Sequence, residues 1–200
     1  QLADEDVEIA SSEELGRRLA INPEQIRKDL AFFGQFGKKG VGYYVTELKE
    51  SIGSILGLDQ HWNVAIIGMG HLGAALANYQ GIARLGFHLV AIFDVNPVVI
   101  GTRVGERRVE DIAYLAEIIA ERDVQIGVIA VPATHAQSVA DKLVAAGIRG
   151  IWNFAPVSLQ VPPHIPFVSE DLSVGLSSLS YYLSHVSTDP NELSDKNSLN

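Results

Sequence analysis

Gly68, Gly70 and Gly73 stand at the spacing G-x-G-x-x-G inside W-N-V-A-I-I-G-M-G-H-L-G, residues 62–73. That spacing serves phosphate chemistry when a strand precedes it and a helix follows. Val64 to Ile67 is a short apolar, β-branched run, the composition of a strand buried on both faces. Leu72 to Ala83 reads as the helix. Gly68 permits the tight turn, Gly70 lets backbone approach a pyrophosphate, and Gly73 lets helix and strand pack closely. Met69, His71 and Leu72 complete a loop whose N–H groups and helix dipole attract phosphate. A second apolar run, Leu89 to Phe93, ends in Asp94, 21 residues after Gly73. A carboxylate there takes both hydroxyls of an adenosine ribose and repels a 2′-phosphate. Val95, Asn96 and Pro97 follow it, with no Arg or Lys to welcome that phosphate. These residues predict a site for NADH or NAD+.

A second set of side chains suits another polyanion. Residues 1–15 hold six acids and no base, whereas residues 16–49 hold seven bases against three acids, a local charge of +4. Arg18, Gln25, Arg27 and Lys28 fall on two short helical stretches, and Lys38, Lys39 and Tyr43 on a glycine-rich stretch after them. Two basic pairs, one on a second helix and one on a turn tip, favour DNA over a merely solvated charged face. Lysines and Arg18 are expected on phosphates, and Gln25 and Lys28 near base edges. The net charge of the whole chain, −9, places this basic module on an acidic protein.

The elements needed to position these groups can be read in order. Residues 1–10 read as a helix end or loop, and their abrupt start predicts that the chain lacks its natural N-terminus. Ser11 or Ser12 caps a helix striped by Leu15 and Leu19. Asn22 and Pro23 start a second, to Phe33, with Ile26, Leu30 and Phe33 inward. That pair is a helix-turn-helix pattern. Gly34 to Tyr44 suits a β-hairpin wing with a basic tip, and Val45 to Gly57 a helix with Leu48, Ile52 and Ile55 inward. Residues 58–61 form a hinge. Beyond it, Glu110-Asp111 opens a helix, and Val124–Val131, Ile148–Trp152 and Phe167–Val168 are strands, with a helix over Gln137–Ala146. Strands alternating with helices predict an α/β, doubly wound parallel sheet over residues 62–170. Val131, Pro132, Asn153 and Phe154 then lie at carboxyl ends of strands, where such sheets bind ligands. Leu172, Leu176, Leu179 and Leu183 stripe a last helix, predicted over 171–186, which packs on its own sheet or is exchanged with a second subunit. Residues 187–200 read as a disordered tail.

Composition excludes several classes. The chain has no cysteine, which rules out disulfides, thiol chemistry and cysteine-held metal, and no metal site is predicted. No apolar run approaches 18 residues and the N-terminal stretch is acidic, so no membrane span or signal peptide is expected and the cytoplasm is the predicted location.

Taken together, Q-I-R-K-D-L-A-F-F-G (25–34), G-K-K-G-V-G-Y (37–43), G-M-G-H-L-G (68–73), F-D-V-N-P (93–97), N-F-A-P (153–156) and S-E-D-L-S-V-G-L (169–176) resemble the redox-sensing transcriptional repressors of the Rex family. The resemblance runs from Ser11 to Ser184. It implies an N-terminal winged helix over residues 1–57, a Rossmann-type NAD(H) domain, and a domain-swapped C-terminal helix. It further implies a homodimer on palindromic operator DNA, released when NADH binds. A switch made by a Tyr after the glycine motif and an Asp before the exchanged helix is implied too, and Tyr79 and Asp171 match these. The family's third switch residue, an Arg from its first helix, has no match in this chain.

Two other readings share the glycine motif. An NAD-dependent dehydrogenase needs a general acid–base beside the nicotinamide. His71 and His135 fall in the phosphate loop and at a helix start, His61, His88 and His185 on a hinge, a strand edge and a tail, and His164 among prolines. None is placed as a base, and little sequence remains for a substrate domain. A CoA-binding domain of an acyl-CoA ligase does not account for the basic N-terminal module. The expected protein is therefore a regulator without catalytic residues.

Overall fold

A computed structural model describes residues 5–38 and 40–185. They divide into two compact units, one up to Gln60 and one from His61.

In the first unit, β1 (Ile9–Ala10) precedes α1 (Ser12–Leu19) and α2 (Pro23–Phe33), then β2 (Tyr43–Tyr44) and α3 (Val45–Ile55). Ser11 caps α1 by accepting from the Glu14 N–H at 3.1 Å, and Asn22 caps α2 by accepting from Glu24 at 2.8 Å. The turn between them is tight: a Cβ on Gly16 would lie 2.6 Å from the Ile21 carbonyl oxygen. Two expectations change here. Residues 9–10 are not loop but a strand, antiparallel to Tyr43–Tyr44. The wing is correspondingly reduced to one bridge, Lys38 to Gly42, because the segment after it pairs with β1 rather than folding back on itself. The apolar stripes also differ. Ile26 and Val45 are buried, but Leu19, Phe33 and Ile55 are exposed, since no other described element covers them.

The second unit is built on a seven-stranded sheet. In chain order it contains β3 (Trp62–Ile67), α4 (His71–Ala77), α5 (Gln80–Arg84), β4 (Phe87–Asp94), β5 (Arg103–Val104), β6 (Arg107–Asp111), α6 (Leu115–Glu121), β7 (Ile126–Ile129), α7 (Ala133–Ala145), β8 (Gly150–Asn153), β9 (Phe167–Ser169) and α8 (Ser173–His185). The spatial order is β5-β6-β4-β3-β7-β8-β9, with every pair parallel except β5–β6. Without its antiparallel edge this is the doubly wound order, and it reverses direction between β3 and β7. Residues alternate across the sheet with period two. Ala65, Ile67, Phe93 and Ile129 pack with Leu115, Ile119, Val139 and Leu143 on one side, under α6 and α7. Val64, Ile66 and Val128 face the other side with Leu76, Phe87 and Trp152.

The expected helix from Leu72 to Ala83 is two helices, broken at Asn78 and Tyr79. Arg107–Asp111 is a strand, and Asp111 caps a single 3-10 turn before α6 instead of opening the helix. Only Val109 of that strand is fully buried, so its sequence lacks the apolar signal of an interior strand. The predicted tail, residues 187–200, lies outside the described residues. Helix α8 falls where it was expected, yet all its residues are exposed.

Candidate functional site

Strand β3 ends at the point where the sheet reverses, and the glycine loop leaves it there. Gly68 has φ +101°, and a Cβ on it would sit 2.6 Å from the Ala130 carbonyl oxygen. A Cβ on Gly73 would lie 1.8 Å from the Gly68 carbonyl oxygen, so loop and helix close on each other only without a side chain there. At Gly70 a Cβ would meet nothing within 4 Å. That open approach, at the N-cap of α4 and without any side-chain cap, leaves the first amides of the helix free for an anion.

Asp94 closes this loop from the next strand. Its Oδ2 accepts from the Met69 N–H at 2.6 Å and its Oδ1 from the Asn96 N–H at 2.8 Å. Asn96 in turn accepts from the Val98 N–H at 3.0 Å. The carboxylate is therefore aimed along the loop before any ligand arrives, and each oxygen keeps a lone pair for a ribose hydroxyl. Val95 stands beside it, exposed. Val131 and Pro132 follow β7, where Ala130 donates to the Ile67 carbonyl at 2.8 Å. Asn153 is the last residue of β8 and is fully buried, and Phe154 donates to the Ile129 carbonyl at 2.9 Å. Met69, His71, Leu72, Asp94, Val131, Pro132 and Phe154 thus converge on the carboxyl ends of adjacent parallel strands. These groups fit a dinucleotide: amides for the pyrophosphate and a fixed carboxylate for the ribose, followed by Val95, Asn96 and Pro97 rather than a basic residue that would take a 2′-phosphate.

The residues matched to the switch are not joined. Tyr79 caps α5 with its ring over Gly81, where a Cβ would come 2.5 Å from the ring. Asp171 accepts from the Ser173 amide at 2.8 Å and its hydroxyl at 2.6 Å, starting α8. Those bonds, the hydroxyl first, hold the Asp171 carboxyl below its ordinary range. Among the described residues no hydrogen bond links Tyr79 to Asp171.

Sequence reasoning missed a feature on the sheet's second face. Leu76, Tyr79, Phe87, Ile126, Trp152 and Val168 line a groove of about 710 Å³. Its apolar sequence was legible as core, but nothing local signalled that no helix among the described residues fills it. Helix α8 carries the complementary excess, with Leu176, Leu179 and Leu183 all exposed.

In the first unit the predicted DNA contacts have intramolecular partners. Arg18 pairs with Glu5 at 2.8 Å and Glu14 at 3.1 Å, and these carboxylates, Glu5 foremost, raise its already high pKa. Arg27 donates to the Ser12 hydroxyl at 2.7 Å, and Gln25 to Asp29 at 2.6 Å. Lys28 lies 3.3 Å from Glu24. Lys38 sits 5.2 Å over the Tyr44 ring. Tyr43 differs from the expectation of a DNA-facing side chain: it is buried, because β2 pairs with β1 and turns its ring inward. Lys39 lies outside the described residues. Among the described residues no group of three or more His, Asp or Glu is placed to hold a metal ion, and no helix is long and apolar enough to cross a membrane.

Comparison with known proteins agrees with this division of the chain. Residues 59–157 match the family described as CoA binding domain, and residues 1–31 match that described as putative DNA-binding protein N-terminus. A redox-sensing transcriptional repressor Rex of Clostridium perfringens is 45% identical over 185 residues, 92% of this chain and 87% of that protein. Its counterpart in Chloroflexus aurantiacus is 47% identical over 182 residues, 91% and 86% of the two chains. The crystal structure of RSP in complex with NAD+ and operator DNA superposes with a TM-score of 0.88 at 41% identity, covering 98% of this chain and 88% of that one. RSP in complex with NADH gives 0.83 at 39%, covering 98% and 89%. The chain, with its glycine loop and aimed Asp94 behind a helix-turn-helix, belongs to the Rex family of redox-sensing transcriptional repressors.

Proposed function

We propose that this protein is a repressor that binds palindromic operator DNA as a homodimer and leaves it when NADH occupies the second unit. One observation carries the reading: Asp94 ties the glycine loop to the strand beside the sheet's reversal point, in a relative-rich family of redox sensors. NADH and NAD+ differ by a hydride and a charge at the nicotinamide, and the protein's task is to sense that difference without consuming it. Gly68 to Gly73 hold the pyrophosphate and Asp94 the ribose. Val131, Pro132, Asn153 and Phe154 border the nicotinamide half.

The homodimer forms when α8 of one subunit seats its leucines in the apolar groove of the other. The groove's volume and lining and the bare leucines of α8 support this exchange. Each site then has a wall contributed by the partner, and Tyr79, in the groove wall, and Asp171, at the root of α8, meet across the dimer. Changing the pocket moves the dimer as a unit and alters the spacing between its two DNA-binding units, which must match half-sites about 34–36 Å apart. Phosphate contacts come from Arg18, Lys38 and Lys39. Gln25, Arg27 and Lys28 reach the bases, exchanging their internal partners for DNA.

The test is a titration of DNA binding with each dinucleotide, beside an incubation with NADH and candidate carbonyl substrates. NADH-driven release without oxidation of NADH supports the sensor. Turnover would instead favour a dehydrogenase.

A further inference from the structure

The Asn153 carboxamide has two N–H groups but three acceptors within reach. Nδ2 lies 2.9 Å from the Ala155 carbonyl oxygen, 3.2 Å from that of Val157 and 3.0 Å from the Ser169 hydroxyl oxygen. Its Oδ1 accepts from the Ala155 N–H at 3.0 Å. The Asn153 side chain is fully buried, so its two N–H groups must choose among these three acceptors, while Val157 and Ser169 are exposed and whichever is left over can turn to solvent. Two of the three acceptors belong to the loop leaving the carboxyl end of β8. The third belongs to β9, two residues before Asp171 and the start of α8.

We propose that Asn153 is a positioning residue that couples the loop bordering the dinucleotide site to β9 and, through it, to the C-terminal helix. The coupling follows from the proton count. When the loop carbonyls draw closer, they take both N–H groups and the bond to Ser169 weakens; when the loop moves away, an N–H returns to Ser169. The backbone runs the same route, since the Asn153 carbonyl accepts from the Glu170 N–H at 2.8 Å. The root of α8 is thus held by a residue whose allegiance is divided between two segments. An aspartate here would offer no donor, and a glutamine would carry its amide past all three acceptors.

The inference rests on the proposed function, and the test separates the two. Ser169→Ala removes only the β9 acceptor and leaves Asn153 satisfied by the loop, so the fold survives. In the ligand-free protein the Asn153 side-chain amide resonances should shift, and the Ser169→Thr variant should restore them. NADH affinity should stay within about twofold of the unmodified protein. The ratio of DNA dissociation constants with and without NADH should fall about 2- to 10-fold, the range expected for one net hydrogen bond. The probe is an inverted-repeat duplex selected from random sequence by the unmodified protein. An unmodified protein that ignores NADH refutes the proposed function, and the coupling with it. An unmodified protein that responds, beside a Ser169→Ala variant that responds equally, overturns the coupling alone. So does an Ala variant that Thr fails to rescue.

Discussion

Replacing Asp94 with Asn should change which dinucleotide this protein prefers. The carboxylate accepts from the Met69 and Asn96 amides at 2.6 and 2.8 Å, one on each oxygen. An asparagine keeps the shape but must turn its N–H₂ toward one of those N–H groups, donor against donor. It also loses the charge that strengthens bonds from ribose hydroxyls. Removing one charge-assisted hydrogen bond costs about 1.5–3 kcal/mol, so the NADH dissociation constant should rise roughly 10- to 100-fold. NADPH experiences a second effect of opposite sign. A carboxylate about 4 Å from a 2′-phosphate repels it by on the order of 4 kcal/mol per unit charge near a protein surface, less in salt. Loss of that repulsion offsets the lost hydrogen bond, so NADPH binding should stay within a few fold or improve. The preference for NADH should therefore shrink by about two orders of magnitude. Fluorescence titration of each reduced dinucleotide measures both constants. Equal affinities in the unmodified protein, or a preference that survives in Asp94→Asn, would refute the reasoning.

Other outcomes follow from single contacts. Gly73→Ala forces a Cβ to 1.8 Å from a backbone oxygen, so the loop must open; the cost exceeds the ~1–3 kcal/mol of ordinary overpacking, and calorimetry should show a melting point several degrees lower with dinucleotide binding lost. Lys38→Ala should weaken binding to all duplexes alike and lower the salt slope by about one, as a lost phosphate contact does. Ending the chain before Leu172 should give a monomer in sedimentation that still binds dinucleotide weakly and no longer links it to DNA. The Asp171 carboxyl is depressed by Ser173, so its contribution to the start of α8 is present above the carboxyl's unfolded range and is lost as pH falls through its lower folded value. Carboxyl NMR titration of Ser173→Ala should find it moved back up, with no effect between pH 6 and 8.

The dinucleotide loop was legible because its physics is local. Gly73 is required by a backbone contact with Gly68 that the strand–turn–helix fixes locally, whereas the contact of Gly68 with Ala130 adds a constraint from the neighbouring β7. Asp94 was legible by spacing, though not its grip on Met69, which depends on the register of β3 against β4. What escaped was tertiary. The strand Arg107–Asp111 is two arginines and two acids around one buried valine, a pattern no periodicity marks. Ile9–Ala10 is a strand only because Tyr43–Tyr44 comes to meet it, which also buries Tyr43. The break at Tyr79 lies in a sequence with no proline. It coincides with the stacking of that ring on Gly81, a contact that only the folded chain reveals.

The bare groove and the bare helix have a thermodynamic consequence. On the proposed exchange of α8 between two copies, part of the apolar burial lies outside a single copy, so folding and assembly would share one equilibrium. Stability then depends on protein concentration: the melting point climbs as the solution is concentrated and falls on dilution, as it would not for a self-contained domain. Below the dissociation point of such a dimer, the protein's own amount would set both how much DNA is occupied and how much of the chain remains folded.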